Sequence, residues 1–279
     1  MSQGKLNGFQ VVGLLGLAGL VAYRVTRPAA PASSIATVPA RASRGRGVRP
    51  VGAADEPQAS GLLLSAVRAG SYERPRWSVV RWDGLLVQVW ADALRAPVDG
   101  ALLRLPVSYA ETIEIAQTID RGNLVTPTAS LASAIYQASD RLVYHGLVLK
   151  PEDSRRMRSL AFCKAFNADI GAQIEAKGSK DLLHFGAWKL WVLSPRLVEK
   201  AHDAPTEPAA VNFGGWNAAG QPIQPESTWH VYPHDDYSQC LTLVSRWATD
   251  ETTGERVDLL DRFEQRDHVP AAYTAPWRT

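Results

Sequence analysis

Two apolar runs, Trp77-Ser-Val-Val-Arg-Trp82 and Leu85-Leu-Val-Gln-Val-Trp90, are separated only by Asp83-Gly84. A two-residue link can join antiparallel neighbours but not parallel strands, which need a long crossover. Asp-Gly also supplies the positive φ that the tight hairpin turns require. A β-hairpin is therefore expected at the start of the body, and an all-helical fold is excluded.

Helical spacing follows it. Between Tyr109 and Asp120, Ile113, Ala116 and Ile119 recur on one face. Thr126-Pro127 reads as the start of a second helix, with a capping hydroxyl and proline in the first turn, leading to Leu131, Ala134, Ile135 and Ala138. From Asp153 to about Ile174, the residues Leu160, Cys163, Phe166, Ile170 and Ile174 form a stripe, with Arg155, Arg156 and Arg158 opening the helix on its other faces. A cysteine in such a stripe is expected to be a buried, inert thiol. Leu182–Leu193 reads as a strand or buried segment, and Val211–Trp216 and Cys240–Trp247 as later strands, the first turning at Asn217-Ala-Ala-Gly220. No internal repeat is present, and the expected class is α+β with an antiparallel sheet.

Charge divides the chain. Residues 1–50 hold seven basic side chains and no acidic one, so the net charge of +2 conceals a remainder with 23 basic and 28 acidic residues, net −5. A body of that sign is a poor ligand for duplex nucleic acid. Within the basic part, residues 8–23 are nearly all apolar and flanked by Lys5, Arg24 and Arg27. At about 24 Å as a helix, this segment suits an uncleaved membrane anchor or the apolar region of a signal peptide. Residues 24–60, with five prolines and six arginines, read as a flexible tether, and residues 61–279 as the globular domain. An exported body is the expected arrangement, although the arginines after the anchor favour a cytoplasmic one by the positive-inside rule. Two cysteines cannot form a disulfide framework.

The densest polar cluster runs from Ser227 to Cys240 and holds His230, His234, Asp235, Asp236, Tyr237 and Ser238. His230 and His234 have the spacing of helical zinc motifs, but Pro233 lies between them and removes a helical donor, so no metal and no cofactor are expected. Ser238 or Cys240 could act as a nucleophile with a histidine as base. His230 held by Asp236, beside Tyr237, could also move protons without a covalent step. His145, His184, His202 and His268 stand alone and are not expected to be ligands.

Gly215-Trp216-Asn217, Gly220-Gln-Pro-Ile-Gln-Pro225, His230 and Asp236-Tyr-Ser238 resemble a group of uncharacterised bacterial proteins. That group shares a Gly-Trp-His-x-x-x-Gly-x-Pro-Ile-Gln-Pro segment, then a His, then Asp-Tyr-Ser-His-Gly. The similarity covers roughly residues 100–245 and implies no particular activity. Asn217 stands where the group has His, and Gln239-Cys240 where it has His-Gly. Ser238-Gln-Cys240 is also similar to the cysteine segment of L,D-transpeptidases, which would imply Cys240 as nucleophile and His230 as base. The expected function is a tethered, cell-envelope hydrolase of cell-wall (peptidoglycan) material, with His230, Asp236, Tyr237, Ser238 and Cys240 in the site and Lys180, Asp181, Trp216 and Gln224 contacting substrate. The alternative is a non-catalytic binding or structural module of the envelope or of a virion.

Overall fold

A computed structural model describes residues 56–146, 156–178 and 182–279. The segments expected to form the anchor and most of the tether lie outside them, as do Lys180 and Asp181. Among the described residues, no helix is long and apolar enough to cross a membrane.

Residues 56–60, expected in the tether, already belong to the fold. Ala59 is fully buried and its N–H donates to Arg158 O, while Pro57 O accepts from Leu160 N. A short helix, α1 (Leu62–Arg68), leads into the hairpin of β1 (Trp77–Trp82) and β2 (Leu85–Trp90), paired from Trp77↔Trp90 to Trp82↔Leu85. Asp83 and Gly84 have φ of 53° and 75°, the doubly positive turn whose twist matches that of the strands. The same device recurs at Asp99-Gly100 (φ 49° and 81°), which joins β3 (Arg95–Val98) to β4 (Ala101–Arg104).

α2 (Tyr109–Asp120) opens with a capping box: Ser108 Oγ accepts from Glu111 N, and the Glu111 carboxylate accepts from Ser108 N. After β5 (Leu124–Val125), α3 (Ala129–Ala138) starts two residues later than its sequence suggests. Thr128 is the cap. The Thr126 hydroxyl is drawn away to Trp191 O, a partner 65 residues distant. β6 (Asp140–Arg141) precedes α4 (Leu160–Lys177), whose cap is Ser159. Arg156 and Arg158 therefore lie ahead of the helix instead of on its faces. The expected stripe is buried at Leu160, Cys163, Phe166 and Ile170.

The chain then runs through β7 (His184–Phe185), β8 (Lys189–Trp191), a 3₁₀ turn at Pro195–Val198, β9 (Ala209–Trp216) and β10 (Pro222–Val231). It ends with β11 (Val244–Ser245), β12 (Trp247–Asp250), β13 (Arg256–Asp258), α5 (Leu259–Arg266) and α6 (Ala271–Thr274). Cys240–Trp247 is thus not one strand. Cys240 bridges Pro106, and Arg246 breaks the run between β11 and β12, its guanidinium gripping Asp258 while its N–H donates to Asn123 O.

One antiparallel sheet has the order β13-β12-β2-β11-β5, with β1 also on β2; a second has the order β10-β9-β8. β6 and β7 pair in parallel, so the architecture is α+β with mainly antiparallel strands. β9 is buried along its whole length as the middle strand of the second sheet. At Gly214 (φ 113°) a Cβ would come within 2.7 Å of the Trp216 ring, so only glycine fits there. β10 is left as the edge, and the candidate site grows from its end.

Candidate functional site

β10 ends at Val231, and Tyr232-Pro233 turn the chain so that His234 N–H donates back to Val231 O at 3.1 Å. That turn lays the His234 imidazole parallel to His230, with ring centroids 3.6 Å apart and planes 1° from parallel. The outer edge of β10 is partly paired by residues 202–203: His202 N donates to Thr228 O and Asp203 N to Trp229 O, both at 3.0 Å. This pairing brings the Asp203 carboxylate within 3.1 Å of His230 Nδ1 and stacks the His202 ring on Trp229 at 3.8 Å. Trp229 remains 50% exposed.

Asp203, not Asp236, is therefore the orienting carboxylate of His230. The two are 27 positions apart with no local pattern to link them. Burial is the main influence on His230, and together with His234 it moves the imidazole below its ordinary pKa against the opposing pull of Asp203. His230 is thus a neutral, oriented base at neutral pH. Among the described residues, no hydroxyl or thiol hydrogen-bonds to it.

The remaining predicted residues turn inward. Asp236 is 2% exposed; its carboxylate accepts from Ser238 N at 2.8 Å and from Ser238 Oγ, and lies 3.4 Å from Lys189 Nζ. Burial acts to raise its pKa, but Lys189, His234 and Ser238 outweigh burial and hold it well below the carboxylate range. Its own N–H donates to Gln239 Oε1, closing a compact turn. Ser238 is fully buried. Tyr237 is buried with its ring against Phe162 and Phe166 and its hydroxyl 3.2 Å from that of Tyr144. Cys240 is a core side chain whose thiol is pushed well above its ordinary pKa by burial, which withholds the thiolate a nucleophile needs. Cys163, likewise buried, donates to Arg104 O and is pushed up to about 12.

Of the expected substrate contacts, Trp216 is buried and stacked on Tyr136 at 4.7 Å, a core role. Gln224 is half-buried on β10 opposite Gly214. Asn217 shapes the turn that follows β9, its Oδ1 accepting from the N–H groups of Ala219 and Gln221.

Two features have no signature in the sequence. Asn212, 1% exposed, pairs with Trp191 on one side and Ser227 on the other, and both of its amide atoms lack a hydrogen-bond partner. A cleft of about 770 Å³ is lined by Asp92, Arg104, Asn167 and His184 among others. There Arg104 forks onto Asp92, with Nε 2.7 Å from Oδ1, and the buried His184 ring has no hydrogen-bond partner on either nitrogen, Nδ1 lying 3.8 Å from Asp140. No protein-family model, curated protein or solved structure matches the chain.

Proposed function

We propose that this chain is a membrane-tethered component of the cell envelope whose folded part binds cell-wall polymer without cleaving it covalently. The observation that carries the reading is the burial of the groups a covalent hydrolase would need. Asp236, Ser238 and Cys240 are held inside the fold by Lys189, by one another and by the backbone, beyond the reach of a polymer. The edge of β10 carries the half-exposed indole of Trp229, stacked on His202, and at the adjacent position the His230–Asp203 pair. An aromatic plane flanked by hydrogen-bonding groups suits a partly apolar, hydroxyl-rich chain. Support for the envelope is the apolar segment 8–23 and the proline-rich stretch behind it.

A second reading keeps non-covalent acid–base hydrolysis, with Asp203 in the place expected for Asp236. It rests on the neutral, carboxylate-held imidazole of His230. Co-sedimentation of the detergent-solubilised full chain with purified peptidoglycan separates the two. Binding that Trp229→Ala weakens at least about 5-fold, with no soluble fragment released, is the expected result. Release that stops in His230→Ala would establish the hydrolase instead, and absence of co-sedimentation would remove the cell wall as ligand.

A further inference from the structure

We propose that Asp203, His230 and His234 form a binding site for a divalent transition-metal ion of the zinc class. One carboxylate oxygen and one nitrogen from each ring all lie within 4.8 Å of one another. Imidazole and carboxylate are the donors such ions select, and three protein ligands leave a coordination position for water or a bound group. The ligands come from three separate pieces of backbone: the 202–203 segment paired to β10, the end of β10, and the loop beyond Pro233.

Proline argued against a metal only on the assumption that the histidines share a helix. On a strand followed by a two-residue turn, the same Pro233 helps to bring the rings together. The parallel rings have in-plane lone pairs that run side by side, so the rings must turn toward each other for both to face one ion. His234 Nε2 is shielded from solvent, makes no hydrogen bond and sits 3.9 Å from the Asp236 carboxylate. A carboxylate behind a ligating histidine is the usual outer partner that orients the ring and raises its basicity.

Ion binding is read directly, so its outcome is independent of whether the chain binds or cleaves a polymer. The full chain, purified without a histidine tag and stripped with chelator, is titrated with Zn²⁺ by calorimetry and with Co²⁺ by visible absorption. One equivalent bound is expected, with Co²⁺ bands of four- or five-coordinate intensity. Asp203→Asn, His230→Ala and His234→Ala should each weaken binding by about 10-fold or more. Asp203 is exposed, so its variant keeps the test valid if a histidine variant fails to fold, as judged by circular dichroism. Absence of binding at 100-fold molar excess of Zn²⁺, or binding left unchanged by Asp203→Asn, would overturn the proposal, because the exposed pair His145–Asp169 or another surface group would then be the ligand.

Discussion

At the scale of single residues, Asp236 and His230 divide what looked like one polar cluster. Asp236 is enclosed with Lys189 and Ser238, so Asp236→Asn should lower stability by about 3 kcal/mol, because it leaves the Lys189 ammonium largely buried without its counter-charge. A fall in the urea midpoint at unchanged m-value would show it. His230 acts through pH instead. Unfolded histidine takes up a proton near pH 6.5, and folded His230 does so only at lower pH, so between these values the unfolded state binds more protons. Stability should therefore be complete above about pH 6.5 and decline as pH falls through the folded value. In His230→Asn that part of the pH dependence should flatten, as followed by urea unfolding across pH 5–8. The cluster 227–240 was legible as polar density, but the division within it was not. Nothing local tells Asp235 and Asp236 to point inward, and Asp203 enters only because its backbone pairs with Trp229.

Among the elements, those with a local cause match their sequence pattern closely. The β1–β2 turn needs positive φ at both central positions, and Asp-Gly provides it. Gly84→Ala should destabilise the chain by about 1 kcal/mol, since an alanine pays the left-handed penalty at φ 75° although no neighbour crowds its Cβ; thermal unfolding of the two chains compares them. Asp99-Gly100 is the same dipeptide doing the same work, a hairpin readable in retrospect despite the proline in β3. Helix periodicity located α2 with its first residue, and located α3 and α4 but not where they begin. Thr126 and Thr128 are equivalent as caps, and the choice fell to Thr128 because Trp191 O engages the other hydroxyl. Cys240–Trp247 has the composition of a strand, yet the Arg246–Asp258 contact divides it.

For the whole molecule, order along the chain determined the charge separation between residues 1–50 and the rest, the mixed helix-and-strand class, the hairpin turns and the apolar stripe that carries Cys163. These depend on backbone preferences within a few positions or on the pattern of one element, and such effects are additive along a sequence. Tertiary structure alone decided which polar groups face water. It buried Asp236, Ser238 and Cys240, left Trp229 and His230 on the edge of β10, drew Asp203 to His230 across 27 residues, and closed a cleft around Arg104 and His184 from segments 80 residues apart. Accessibility and pairing are properties of packed surfaces, set by which strand becomes an edge and which loop covers it, and no local pattern records that choice.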